Sequence, residues 1–122
     1  QAEKPEDWVI ATGVTTTVRD FVTMAFKQVG ISLGFKGQGV EEKAFVKACS
    51  NQEFQLSIGK EVLSVDPTYF RPTEVETLLG DPTKAKEKLG WVPEISVQEM
   101  CSEMVREDLI TAKQTKLMIQ DL

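Results

Sequence analysis

A helix followed directly by a strand decides the fold: TVRDFVTMAFKQVGISLGFK, residues 17–36. Thr17 is the expected helix N-cap, with Asp20 three residues later, and Gly30 is the expected end of the helix. Between Thr17 and Gly30, apolar residues recur at helical spacing and form one face: Val18, Phe21, Val22, Ala25, Phe26 and Val29. The apolar period then changes to two over residues 31–35, which predicts a strand. This stretch therefore predicts a small α+β fold.

Other short strands are predicted on both sides of this unit. Apolar runs at residues 8–11, 61–65 and 76–79 are bounded by turn residues and predict three of them. Residues 37–59 have no clear period, and we expect at most a hairpin strand within them, at residues 54–58.

Two more helices are predicted towards the end of the chain. Asp81, followed by a proline, has the pattern of an N-cap for a short helix that Gly90 ends. Ser96 and Glu99 have the spacing of a capping box for a longer helix, which we expect to fray from Lys113 onward. We expect its apolar stripe to be buried, with both methionines in the core: Val97, Met100, Cys101, Met104, Val105, Leu109 and Ala112.

Length and composition are those of one soluble globular domain. The chain has 122 residues, of which 41% are hydrophobic and 27% charged. A domain of this size is expected to have one core and to bury roughly two thirds of its unfolded surface. The longest apolar runs fall well short of the ~20 residues of a membrane span, so we expect no membrane association.

Residue usage excludes several kinds of chemistry. The sequence contains no histidine, which excludes Ser-His-Asp and Cys-His nucleophiles and HExxH zinc sites. Cys49 and Cys101 are far apart and form no CxxC pair, so we expect free thiols, no metal site and a reducing cytoplasm. A net charge of -5, with 11 Lys and three Arg, argues against nucleic acid as a partner.

Three glycines invite comparison with a dinucleotide-binding loop. Gly34, Gly37 and Gly39 spell GxxGxG, which reverses the usual fingerprint, and the residues after them do not resemble the start of a packed helix. We interpret them as turn residues after a strand. Glu41, Glu42 and Glu61 fit solvated surface carboxylates, and the sequence nominates no catalytic or cofactor-binding residue.

Arg71 and Glu74 are the candidate ligand-binding residues. Pro72 disfavours helical backbone angles at Arg71, so the Arg71 side chain projects from an extended segment. A guanidinium suits a diphosphate and a nearby carboxylate accepts hydrogen bonds from ribose hydroxyls, as a nucleotide sugar would require. A surface salt bridge between the two residues explains the same spacing, and the residues alone favour that alternative.

The segment YFRPTEVE, residues 69–76, continues as TLLGDPTKAKEKLGWVPEIS through residue 96 and resembles the C-terminal region of GDP-mannose 4,6-dehydratases. WVIATG at residues 8–13 and TVRDFV at residues 17–22 resemble an earlier segment of the same family. The resemblance covers nearly the whole chain and is weakest at residues 38–59. Thr68 departs from the family pattern, which often has a basic residue at this position.

The resemblance implies that residues 1–122 are the substrate-binding domain of such an enzyme, with short strands and about three helices. In the family this domain follows an NADP-binding Rossmann domain with the catalytic Thr, Glu and Tyr-x-x-x-Lys residues, none of which this chain contains. The implied reaction converts GDP-mannose to GDP-4-keto-6-deoxymannose, on the way to GDP-fucose, in a cytoplasmic homo-oligomer.

Specific residues of the candidate site also follow from the resemblance. It places Arg71 on the diphosphate and Glu74 beside the nucleoside, and it brings the turn of residues 13–16 near the ligand. Two alternatives are another nucleotide-sugar epimerase or reductase of the same superfamily and a stand-alone interaction module that uses the helix beginning at Val97.

Overall fold

The structure, a computed structural model, describes residues 2–74 and 76–122. It contains three α-helices, α1 (Val18–Gln28), α2 (Thr83–Leu89) and α3 (Val97–Gln120). Three antiparallel strands form one sheet in the order β1-β2-β3, with a short 3-10 turn at Gly39–Glu41: β1 (Ile31–Lys36), β2 (Lys43–Cys49) and β3 (Glu61–Ser64). The predicted α+β class and the number of helices are confirmed.

Local signals explain α1 and β1. The Thr17 hydroxyl accepts a hydrogen bond from the Asp20 N–H at 3.1 Å, as expected for an N-cap. At the other end, the Gly30 N–H donates to the Lys27 carbonyl at 3.0 Å, and the chain turns directly into β1. The helix and the strand therefore have the predicted positions.

The sheet contains a strand that the sequence analysis missed, and it lacks three that were predicted, of which the first is at residues 54–58. β2 lies within the aperiodic stretch. Its buried residues, Ala44 and Val46, are separated by the apolar Phe45, so apolar and polar residues do not alternate there. Residues 54–58 alternate well but form no strand, since β2 pairs instead with the chain just after them. The Gly59 N–H donates to the Val46 carbonyl at 2.7 Å, and the Val46 N–H donates to the Lys60 carbonyl at 2.9 Å.

Two other predicted strands, at residues 8–11 and 76–79, are irregular in the structure. The two segments run beside each other: a Cβ on Gly80 would lie 2.5 Å from the Ala11 Cβ, and the Thr15 hydroxyl donates to the Leu78 carbonyl at 3.1 Å. They form no hydrogen-bonded ladder with each other or with the sheet. A strand requires a neighbour that accepts and donates its backbone hydrogen bonds, so the apolar pattern alone gave the wrong prediction here.

α2 begins at Thr83, one residue later than the proline at the first helical position would imply. The Asp81 carboxylate accepts hydrogen bonds from the Thr83 backbone, at 3.0 Å, and from the Thr83 hydroxyl. Lys84 and Lys88 pair with Glu6 at 3.6 and 3.4 Å, and these ion pairs hold the start of the chain against α2.

α3 has the predicted capping box, but fewer of its apolar side chains are buried than predicted. The Ser96 hydroxyl accepts from the Glu99 N–H at 3.2 Å, while the Ser96 N–H donates to the Glu99 carboxylate at 2.8 Å. The helix does not fray at Lys113 but continues to Gln120. Of the stripe that we expected to be buried, Cys101 is fully buried, whereas both methionines are exposed. Within the described ranges, neither α3 nor any other helix is long and apolar enough to span a membrane.

The chain buries less of its surface than a domain of its size should. Its accessible surface is 10109 Å², about half of what an unfolded chain of 13.6 kDa exposes, rather than the expected third. Among the described residues, the fully buried apolar side chains form a small core: Ile31, Ala44, Val46, Ala85 and Cys101.

Candidate functional site

The Arg71 loop begins with a hydrogen-bonded turn after β3. The Asp66 carboxylate accepts from the Thr68 N–H at 2.9 Å, and the Asp66 carbonyl accepts from the Tyr69 N–H at 3.1 Å. Asp and Pro at the start of a turn have this role in many proteins, since the carboxylate caps the backbone and proline fixes φ. The turn reverses the chain just before Phe70 and Arg71.

Phe70 anchors this loop to the β1-β2 turn. Its ring lies over Gly39, where a Cβ would be 3.4 Å from the Phe70 Cζ. The β1-β2 turn is in turn fixed to α1, because Arg19 donates to Glu42 through Nε at 2.8 Å and also through Nη2. Phe70 is 39% exposed and Tyr69 80%, so the loop is held on one side and open on the other.

Arg71 and Glu74 lie together on the open side. The Arg71 Nη1 is 3.6 Å from the Glu74 Oε1, with the side chains 78% and 60% exposed. An ion pair this exposed contributes little to stability. The surface salt bridge suggested by the spacing is therefore present, and it leaves most of the guanidinium fork free for a second anion.

Of the three glycines that we interpreted as turn residues, Gly37 and Gly39 lie in the β1-β2 connection as expected, whereas Gly34 lies inside β1. A Cβ on Gly37 would lie 2.2 Å from the Glu41 carbonyl oxygen, and the residue has φ +83°. Gly34 lies within β1, under the Phe45 ring. Both positions are explained by close packing of the hairpin, and neither points to a phosphate-binding loop.

Perturbed carboxylates in the described residues belong to helix caps. Hydrogen bonds from the Thr83 side chain and backbone hold the pKa of Asp81 below its usual value. The Ser96 backbone and hydroxyl hold the pKa of Glu99 below its usual value in the same way. Within residues 2–74 and 76–122, no group of three or more acidic or Cys residues could hold a metal ion.

The turn of residues 13–16 lies at a different place from Arg71. Thr12, Val14 and Thr16 line a groove of about 300 Å³ against residues 93–99. Neither Arg71 nor Glu74 is among the residues that line this groove. The structure thus brings Arg71 and Glu74 together, while the third predicted element faces α3.

The sequence analysis missed the apolar wall of this groove. Ile95 lines this groove, Met100 lines the adjoining groove of about 410 Å³, and both side chains are exposed. Met100 was assigned to the core because helical periodicity reports which side chains share a face, and not what covers that face. The sequence did contain one indication of this wall, because Ile95 is an apolar residue directly before the helix cap.

Comparison with known proteins identifies the family. A family model described as GDP-mannose 4,6 dehydratase matches residues 1–104. A GDP-mannose 4,6-dehydratase of Vibrio cholerae is 56% identical over 119 residues, which are 97% of this chain and 32% of the relative. Relatives of the same name are 48% identical in Sinorhizobium fredii, over 95% of this chain and 30% of the relative, and 41% identical in Homo sapiens, over 89% and 27%.

The chain thus spans about a third of the length of the curated relatives it matches. The match nevertheless covers the hairpin, the Arg71 loop, α2 and the start of α3. This chain belongs to the GDP-mannose 4,6-dehydratase family.

Proposed function

We propose that this chain is the substrate-binding region of an NADP-dependent GDP-mannose 4,6-dehydratase, a lyase that converts GDP-mannose to GDP-4-keto-6-deoxymannose. The observation that carries the proposal is the exposed Arg71–Glu74 pair on an anchored loop, within a chain of this family. Arg71 binds the diphosphate, and Glu74 accepts hydrogen bonds from the ribose or guanine side of GDP.

The placement of the loop supports this assignment. Phe70 and the Asp66 turn restrict the backbone that leads into the substrate-facing residues, which limits the entropy lost when the ligand binds. In the free protein the guanidinium lies 3.6 Å from the Glu74 carboxylate. When the diphosphate binds, Arg71 exchanges a weak solvent-exposed contact for charge-assisted hydrogen bonds.

The described residues do not fit a nicotinamide dinucleotide. Such a cofactor requires a glycine-rich turn that leads into a helix N-terminus, whereas Gly34, Gly37 and Gly39 belong to the β1-β2 hairpin. We therefore assign NADP, and the hydride chemistry it supplies, to the part of the enzyme that the relatives have and this chain does not match. We also place the complete enzyme in the cytoplasm as a homo-oligomer that serves GDP-fucose synthesis.

A fusion protein tests the function. In it, this chain replaces the matching region of the Vibrio cholerae relative, and product formation is measured by mass spectrometry with GDP-mannose, a UDP-sugar and a TDP-sugar. We expect turnover of GDP-mannose alone by the fusion protein and no turnover by the free chain. A preference for UDP- or TDP-sugars would favour an epimerase or reductase of the same superfamily instead.

A further inference from the structure

An ion pair joins the start of α1 to the β1-β2 connection. Arg19 donates to the Glu42 carboxylate through Nε at 2.8 Å and also through Nη2, and its guanidinium lies over the Phe35 ring, 5.6 Å from the centroid. The Glu42 side chain is 20% exposed. A guanidinium held by two hydrogen bonds to a largely buried carboxylate and by an aromatic ring is more fixed than an ion pair between exposed side chains. We call Arg19, Phe35 and Glu42 the brace.

The turn next to the brace contains two residues with left-handed backbone angles. Gly37 has φ +83° and Gly39 has φ +58°. Within the turn, the Glu41 N–H donates to the Gln38 carbonyl at 3.1 Å, and the Glu42 N–H donates to the Gly39 carbonyl at 3.2 Å. Glycine restricts the backbone less than any other residue, so this turn depends on contacts outside itself for a fixed position. The brace supplies one at Glu42, which ends the turn.

Phe70 packs on this turn and directly precedes Arg71. A Cβ on Gly39 would lie 3.4 Å from the Phe70 Cζ and 3.7 Å from its Cε2. Because adjacent residues share a rigid peptide plane, a shift of Phe70 changes the point from which Arg71 extends. Hydrogen bonds from a guanidinium to a phosphate depend on distance and angle, so the position of the turn bears on the strength of that contact.

We propose that the brace positions the substrate-binding arginine, with Arg19 acting on Arg71 through the β1-β2 turn and Phe70. The inference rests on the proposed function, since Arg71 must contact the diphosphate for its position to matter. The guanidinium of Arg19 is engaged by Glu42 and Phe35, so Arg19 is a positioning residue rather than a ligand contact. Loss of the brace should therefore weaken substrate binding and leave the chemical step intact.

The alternative is that the brace stabilises the hairpin and does nothing more. The chain offers a matched ion pair for this comparison, because Lys43, the residue after Glu42, pairs with Glu61 at 3.4 Å. The Lys43 side chain is 53% exposed and that of Arg19 58%. The Lys43 pair joins β2 to β3 and not α1 to the turn under Phe70. Lys43→Ala thus removes a comparable ion pair away from the path to Arg71.

The experiment is a double-mutant cycle in the fusion protein with the Vibrio cholerae relative. Calorimetry gives the Kd for GDP-mannose of Arg19→Ala, Arg71→Ala and the double variant, and product formation gives kcat and KM. We expect Arg19→Ala to raise Kd and KM about threefold to tenfold, with kcat within about twofold, because substrate binding alone is affected. In the Arg71→Ala background the same substitution should change Kd by less than about twofold, since no guanidinium remains to be positioned. Lys43→Ala should leave all three constants unchanged.

A charge exchange provides a second test of the brace. Arg19→Glu should weaken GDP-mannose binding, and adding Glu42→Arg should recover much of the lost affinity, because it restores an ion pair between the same positions. A variant that merely folds less well contains less active enzyme, so its kcat falls while its KM stays the same. If Arg19→Ala does not fold, Glu42→Gln replaces it, because glutamine keeps the size of the side chain and removes the charge.

Several results would overturn the proposal. It is wrong if Arg19→Ala binds GDP-mannose normally, if Lys43→Ala weakens binding equally, or if the charge exchange recovers nothing. It is also wrong if Arg19→Ala has the same effect with and without the Arg71 guanidinium. In each of these cases a loss of affinity in Arg71→Ala would still support the proposed function. If Arg71→Ala itself leaves the affinity unchanged, the proposed function fails, and the brace has no substrate contact to position.

Discussion

Replacing Arg71 by alanine gives the most direct test of the ligand site. The substitution removes the guanidinium. The backbone of the loop is still held by the Asp66 turn and by the contact of Phe70 with Gly39, neither of which involves the Arg71 side chain. We expect Arg71→Ala to weaken GDP-mannose binding by the fusion protein while the fold remains intact.

The magnitude follows from the exposure of the side chain. Arg71 is 78% exposed and its contact with Glu74 is 3.6 Å long, so its loss should change the free energy of unfolding by less than about 0.5 kcal/mol. A hydrogen bond to a charged group contributes about 1.5–3 kcal/mol. Losing such a contact to the diphosphate should raise the Kd for GDP-mannose about tenfold to a hundredfold.

Isothermal titration calorimetry of the fusion protein measures the GDP-mannose and NADP affinities separately, and urea unfolding measures stability. Arg71→Lys should give an intermediate loss of GDP-mannose affinity, since it keeps the charge and loses the planar fork. Arg106→Ala is the matched control, because Arg106 is also exposed and pairs with a neighbouring carboxylate, that of Glu107, at 3.3 Å.

Three outcomes would contradict a direct contact between Arg71 and the ligand. If Arg71→Ala binds GDP-mannose as the parent protein does, the pair with Glu74 is an ordinary surface salt bridge. If its affinity falls in proportion to its stability, or if Arg106→Ala weakens binding equally, then Arg71 has a structural role in the loop rather than a contact with the ligand.

Three further predictions concern the fold. Gly34→Ala places a Cβ 2.5 Å from the Phe45 Cζ and should destabilise the chain by about 1–3 kcal/mol in urea unfolding; an unchanged midpoint would show that the ring moves freely. Ser96→Ala should lower stability by about 0.5–2 kcal/mol and reduce helical circular dichroism, because it removes the cap of α3. The lowered pKa values of Asp81 and Glu99 stabilise the fold above the unfolded-state pKa values, so urea midpoints should fall as the pH drops below about 4, and less steeply in Ser96→Ala.

Elements with local start and stop signals could be predicted from the sequence. Thr17 and Ser96 each cap a helix through a residue three positions later, and such contacts depend on neighbours in sequence alone. The prediction of a strand at residues 54–58 was wrong for the opposite reason. Its alternating pattern is suitable for a strand, but β2 forms its hydrogen bonds with the residues that follow 54–58. Strand pairing is a choice between distant segments, and periodicity carries no information about that choice.

The same difference between local contacts and contacts between distant segments applies to the candidate site. The Arg71–Glu74 pair could be predicted because Pro72 and the spacing of three residues act locally. The groove beside Ile95 could not, since it is formed by residues 12–16 and 93–100, which are far apart in sequence. Met100 is also exposed. Helical periodicity shows which residues share a face of α3, but it does not show that the rest of the chain covers only part of that face.

The pairing order of the sheet has a consequence for how the chain folds. Each strand pairs with the next one along the sequence, and α1 leads directly into β1. Contacts between close neighbours in sequence require little loop closure and form fast. Residues 18–64 should therefore fold first as a nucleus. Residues 2–16 contact α2 through the Lys84–Glu6 ion pair. Because α2 lies far along the chain, these residues should become ordered later.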